Sequence, residues 1–309
     1  MKVVIAGGSG FLGRALAEHL VGRGHDVVVL TRRGTALPGK TGARAVAWEP
    51  DGSQTPGSWA SEVDGAGAIV NLAGAGIADK RWSRRRKELL RLSRVKSTRS
   101  LVSAVRAASS RPATFIQGSA VGFYGLSGDE MIDESFPPGD DVLASLCVDW
   151  EAEAHPVTAL GCRLAIIRAG IVLAREGGAL QKMLPPFLFF VGGPIASGRQ
   201  YFSWIHRADW MALVAWALET PTTSGAYNAT APTPVTNAEF SRALGRALHR
   251  PSWLPVPAFA LRLLVGELAD HGLITGQRVV PTRALDQGFT FGYPEIDAAV
   301  AAAVSKLRT

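Results

Sequence analysis

A chain that runs Val3, Val4, Ile5, Ala6 and then Gly7, Gly8, Ser9, Gly10, Phe11, Leu12, Gly13 has few ways to fold. The unbroken apolar run reads as a buried strand, and the apolar spacing from Phe11 onward reads as an amphipathic helix. Between them the glycines fit two overlapping spacings, GxGxxG through Gly8, Gly10 and Gly13 and GxxGxxG through Gly7, Gly10 and Gly13. Strand, glycine turn and helix in that order form the opening unit of a dinucleotide-binding sheet. Glycine is required because the turn takes unusual dihedrals and because a side chain would hold a diphosphate away from the backbone N–H groups. The helix N-terminus contributes the positive end of a dipole.

From residue 1 to about 175, β-branched runs alternate with helical patterns, which predicts an α/β fold: a Rossmann doubly wound parallel sheet with a smaller C-terminal substrate lobe. Strands are expected at Val3 to Ala6, Val27 to Leu30, Ala68 to Leu72, Thr114 to Gln117 and Leu164 to Arg168. Helices are expected near Phe11 to Arg23, Arg84 to Ala107, Val142 to Ala159 and Arg207 to Leu218. The Rossmann domain is placed at 1–175, completed by about 204–230, and the lobe at 176–203 and 231–309. Thr236 and Glu239 have the spacing of a capping box, which predicts a helix running toward Arg250. Pro251, Pro255 and Pro257 predict a stiff, extended connection after it.

At the end of the second strand a protein selecting NAD would offer a carboxylate to the adenosine ribose. This chain reads Thr31, Arg32, Arg33 there, and a forked, permanent cation suits a 2′-phosphate, which selects NADP(H). The formal charge of +7 agrees with an anionic ligand, and no nucleic-acid-binding module accompanies it, so a nucleic-acid partner is not expected. Cys147 and Cys162 are too few for a disulfide framework or a zinc cluster, which predicts a reducing compartment and no metal. The apolar run at the N-terminus is too short for a signal peptide and no other run spans a bilayer. A cytoplasmic monomer or homodimer acting on a small molecule, without a membrane partner, is the resulting expectation.

Further motifs extend this reading: NLAG at Asn71 to Gly74, SAVGFYG at Ser119 to Gly125, DWE at Asp149 to Glu151, RAGIVL at Arg168 to Leu173, GGPIASGRQ at Gly192 to Gln200, SWIH at Ser203 to His206 and GQRVVP at Gly276 to Pro281. With these in place the chain resembles, over essentially its whole length, the atypical extended short-chain dehydrogenase/reductases, NAD-dependent epimerase/dehydratase-like, of the "epimerase family" group with a C-terminal domain of unknown function. The resemblance implies an extended NADP(H) held by Gly7, Gly10, Phe11, Leu12, Gly13, Thr31, Arg32, Arg33, Leu72, Ala73, Gly74, Arg94 and Val172.

The superfamily's usual Tyr and Lys pair, in which Lys lowers the Tyr pKa, has no counterpart here. Leu143 stands at the expected Tyr position and Cys147 at the expected Lys position. Ser119 matches the superfamily serine, and Tyr124 is the nearest remaining proton donor, so these two are the expected catalytic residues. The acidic loop Asp129, Glu130, Asp133 and Glu134 reads as surface. Gln200, Trp204 and His206 are the expected substrate-binding residues. Two functions remain open: an NADP(H)-dependent oxidoreductase or epimerase acting on a sugar-nucleotide or carbonyl substrate, and a catalytically impaired NADPH-binding regulatory or sensor protein, for example in cell division.

Overall fold

The computed structural model describes residues 1–32 and 41–305; Arg33 lies outside the described residues. Seven strands, β1 (Lys2–Ala6), β2 (Asp26–Thr31), β3 (Arg44–Ala47), β4 (Ala68–Asn71), β5 (Thr114–Ala120), β6 (Arg163–Ala169) and β7 (Gly225–Ala229), form one sheet. Its order is β7-β6-β5-β4-β1-β2-β3 and every pairing is parallel. Strands buried on both faces need apolar residues at every position, and Val3, Val4, Ile5 and Ala6 in β1 meet that condition with no exposed surface. The odd residues of β1 join a core cluster with Leu16 and Leu20 from α1 (Phe11–Gly22), and the even ones a second cluster on the opposite face with Leu101 and Val105 from α2 (Arg84–Ala107).

Helix boundaries follow local chemistry. Ser83 accepts from Arg86 N at 3.2 Å to start α2. Asp141 accepts from Ala144 N at 2.8 Å to start α3 (Val142–Ala154). The single helix expected over 142–159 is broken, because Pro156 has no N–H to donate back into α3 and opens a separate turn, α4 (Pro156–Ala159).

Beyond the sheet lie α5 (Gly178–Leu188), α7 (Asn237–Leu248), α8 (Ala258–Val265), α9 (Leu268–Gly272) and α11 (Ile296–Val304), while α6 (Arg207–Glu219) packs on the sheet and α10 (Thr282–Asp286), expected in the lobe with the rest of 231–309, joins the same core cluster through Ala284. The capping box at Thr236 and Glu239 is formed. Phe202, Trp204, Phe240, Leu244 and Val300 belong to a separate core cluster, which takes in Trp204 from the segment expected to complete the Rossmann domain. Among the described residues no helix is long and apolar enough to cross a membrane.

Candidate functional site

The sheet order reverses between β1 and β4, and ligands of such sheets sit beyond the carboxyl ends of the strands at that point. The glycine turn occupies it. Gly7 has φ 81°, and a Cβ there would stand 2.7 Å from the Leu72 carbonyl carbon and oxygen. A Cβ on Gly8 would press into Val29, and one on Gly13 would collide with the Gly7 carbonyl and stand 2.6 Å from Gly8 Cα. Gly10, the N-cap of α1, differs: a Cβ there meets only Gly7 O, at 3.2 Å. The turn is closed against protein on three sides and open at Gly10, a cradle that fits a diphosphate on bare amides. Phe11 packs beside Gly177 and Gly178, where any Cβ would meet its ring. Thr31 is buried at the end of β2, and Arg32 beyond it is exposed.

The other wall is built from the end of β4. Asn71 donates to Thr98 Oγ1 at 2.9 Å and to Gln117 Oε1 at 3.0 Å, and accepts from Ala73 N at 3.2 Å. Those bonds fix the course of Leu72, Ala73 and Gly74. A Cβ on Gly74 would lie 3.0 Å from the guanidinium carbon of Arg94, so glycine lets that side chain pass close under the backbone. Arg94 is buried, donates from Nη1 to Ala75 O at 3.1 Å and Leu90 O at 3.0 Å, and lies 4.9 Å from the Trp150 ring centre. Its Nε has no partner, and among the described residues no carboxylate lies within ion-pair distance. Burial pulls its pKa down to about 10, so it remains a cation at neutral pH without a protein anion to balance it. Val172 is buried in the short strand Ile171–Leu173 after β6.

Ser119 and Tyr124 meet in a buried polar network rather than on an open wall. Ser119 donates to Glu151 Oε1 at 2.6 Å. Arg168 clasps the same carboxylate with Nε at 2.9 Å and Nη2 at 2.8 Å, and donates from Nη1 to Tyr124 OH at 3.0 Å. Tyr124 in turn donates to Asn228 Oδ1 at 2.7 Å. Burial holds its phenol above the ordinary value despite the neighbouring Arg168 charge. Both hydroxyls are therefore committed to holding β5, α3, β6 and β7 together. Glu134, expected on the surface, is buried and accepts from Asn228 N at 2.9 Å and Arg283 N at 3.1 Å, because its carboxylate takes up a backbone N–H of the edge strand β7.

Beyond the ends of β5 and β6 lies a cavity of about 210 Å³ whose wall includes Gly122, Leu143, Cys147, Gln200, Asp141 and His271. The two positions where a Tyr and Lys pair was expected thus face this space with a leucine and a thiol. Burial pushes the Cys147 thiol up to about 11, with the Glu151 charge acting in the same direction. Alkylation of native protein with iodoacetamide at neutral pH should leave Cys147 unmodified until the chain is unfolded; rapid modification of native Cys147, read by peptide mass, would contradict the burial.

Of the three expected substrate contacts, Gln200 lines the cavity; its Nε2 donates to Ile195 O at 3.1 Å and Leu273 O at 2.9 Å, leaving Oε1 buried without a partner. Trp204 is fully buried in that separate core cluster, where its size and apolar ring place it. His206 accepts from Ala208 N at 3.2 Å as the N-cap of α6 and packs 4.0 Å from the Tyr293 ring, and burial lowers its pKa. Neither belongs to the cavity wall. Asp141 and His271, whose Oδ2 and Nδ1 stand 3.6 Å apart, are wall residues that no motif had marked.

A family model described as NAD dependent epimerase/dehydratase family matches residues 3–230, and one described as a domain of unknown function matches residues 256–303. The chain is 41% identical over 304 residues to an epimerase family protein of Mycobacterium leprae, covering 98% of this chain and 96% of the relative. It is 34% identical, with a TM-score of 0.87, to the crystal structure of a human epimerase family protein with NADPH, covering 99% of each chain. The UDP-N-acetylglucosamine 4-epimerase of Bacillus cereus shares the fold, with a TM-score of 0.77 at 15% identity over the full length of both chains.

Proposed function

The chain belongs to the NAD dependent epimerase/dehydratase family, and from that premise we propose that it binds NADP(H) at the glycine turn and acts as an oxidoreductase or epimerase on a carbonyl substrate. One observation carries the reading: the turn of Gly7, Gly8 and Gly13 is sealed by backbone and core everywhere except at Gly10. The neighbouring residues Phe11, Leu12, Leu72, Ala73, Gly74 and Val172 would line the same crevice, and Arg94 would supply a buried cation beside it. When bound, the cofactor supplies or accepts a hydride. Gln200 would hold a polar group of the substrate, and Leu143 would exclude water. Ser119 and Tyr124 serve as positioning residues, since their hydroxyls are tied to Glu151, Arg168 and Asn228. A cavity near 210 Å³ suits a small carbonyl compound better than a nucleotide sugar, since pockets for larger ligands run to about 300–1,000 Å³.

Arg32→Gln should weaken NADPH binding about tenfold while changing NADH binding little, because a guanidinium bond to a phosphate is worth about 1.5–3 kcal/mol and only NADPH carries the 2′-phosphate. Equal losses for both nucleotides in a fluorescence titration would sink the 2′-phosphate assignment.

The second reading, an NADPH-binding regulatory protein, is favoured by Leu143 and Cys147 standing in the cavity wall, where neither transfers a proton at neutral pH. Incubation with NADPH and a panel of ketones and nucleotide sugars separates the two. Consumption of NADPH supports the enzyme, and tight binding without turnover supports the regulator.

A further inference from the structure

The lobe carries an exposed apolar tip that the nucleotide crevice does not use. After α5 the chain turns through Leu188, Phe189, Phe190 and Val191, with Phe189 77% and Phe190 58% exposed. Trp253, 73% exposed, stands beside them, because Leu254 N donates to Gly192 O at 3.3 Å and Val256 N to Pro194 O at 2.8 Å. Phe259 at the start of α8 is also exposed. Phe190 has φ 65°, a left-handed conformation that costs a side-chain-bearing residue roughly 1–2 kcal/mol. The turn is held there by bonds from Phe190 N to Phe187 O at 3.0 Å and from Val191 N to Pro186 O at 2.9 Å. Over the Phe190 ring, at 4.5 Å, lies the guanidinium of Arg250.

Arg250 is one side of a recess that Arg242, Arg246 and His249 complete. Asp297 pairs with Arg246 at 2.5 Å, but among the described residues no carboxylate lies within ion-pair distance of Arg242 or Arg250. Aromatic and leucine side chains kept in water next to arginines of which two make no close ion pair among the described residues describe an interfacial surface, whose apolar part sits at the headgroup boundary while the cations meet phosphates. A second copy of this chain seated on the same face would bring the two sets of arginines together, and like charges oppose that contact.

We propose that the Leu188–Val191 tip, Trp253 and the Arg242 and Arg250 recess dock on an anionic phospholipid surface. This is a peripheral contact, compatible with the lack of a spanning helix among the described residues, and it does not depend on the nucleotide reading. The probe is the full chain co-sedimented with phosphatidylcholine vesicles, with and without phosphatidylglycerol. Binding is expected only to the phosphatidylglycerol vesicles, weakening as salt is raised. The double variant Phe189→Ser, Trp253→Ser should lose that binding, and Arg242→Gln should reduce it about fivefold, the effect of one basic residue at such a surface. These side chains are exposed, so the thermal transition of each variant should match the parent. Three results would overturn the proposal: no preference for the anionic vesicles, binding that survives the double substitution, or a dimer that those substitutions dissociate in a chain that ignores vesicles.

Discussion

Arg168→Met is expected to lower the midpoint of thermal unfolding by on the order of 10 °C. Arg168 and Glu151 are joined by two hydrogen bonds of 2.9 and 2.8 Å, and their side chains are only 7% and 6% exposed. Burial acts against the Arg168 charge, and the Glu151 hydrogen bonds and charge outweigh it, so its pKa ends above the ordinary value. Removing one partner strands a buried carboxylate, which costs about 3–5 kcal/mol. Each kcal/mol moves the midpoint by roughly 2–4 °C in domains of about 150–250 residues, and this longer chain falls at the low end of that range. Glu151→Leu should be comparably damaging, because it strands the guanidinium instead. The double variant Arg168→Met, Glu151→Leu should recover much of the loss, since two apolar side chains leave no unbalanced charge. Calorimetry of the three proteins checks this, and simple addition of the two single losses would show that the pair is not coupled as the geometry requires.

That network also marks where sequence reading stops. The glycine turn, β1 and the capping box at Thr236 were legible because each depends on residues adjacent in the chain, and apolar runs reveal buried strands wherever they fall. Two sheet strands, β3 and β7, were not predicted. β3 is four residues with exposed ends, and β7 opens with Gly225 at φ 75° and carries Asn228, so neither has a strand's usual composition. What makes them strands is the neighbour each pairs with, β2 and β6, which the local pattern does not contain. The site divides in the same way. Gln200 reaches the cavity, whereas Trp204, four residues on, turns into a core cluster, a choice made by packing against Phe240 and Val300. Glu151 and Arg168 appeared as letters inside two motifs, and only the fold brings them against Ser119 and Tyr124. Asp141 and His271 lie in different halves of the chain, and no spacing rule joins them.

Gly13→Ala and Gly10→Ala should behave differently, although both remove a glycine from one motif. The Gly13 methyl would strike the Gly7 carbonyl and crowd Gly8 Cα, both backbone atoms that cannot swing aside. The turn must open, at a cost of about 1–3 kcal/mol for forcing an extra carbon into filled space, and NADPH binding should vanish with it. Gly10 has φ −75°, which any residue adopts, and its methyl meets only Gly7 O at 3.2 Å. Loss of the glycine N-cap costs at most about 1 kcal/mol, so the fold should survive nearly intact. The methyl would nevertheless occupy the single open side of the cradle and hold a diphosphate off the amides. The expected result is a near-parental unfolding midpoint with NADPH affinity reduced about tenfold or more, the loss of one charge-assisted hydrogen bond or more. Parental affinity in Gly10→Ala would mean that the diphosphate lies elsewhere, and the crevice between β1 and β4 would then need another occupant.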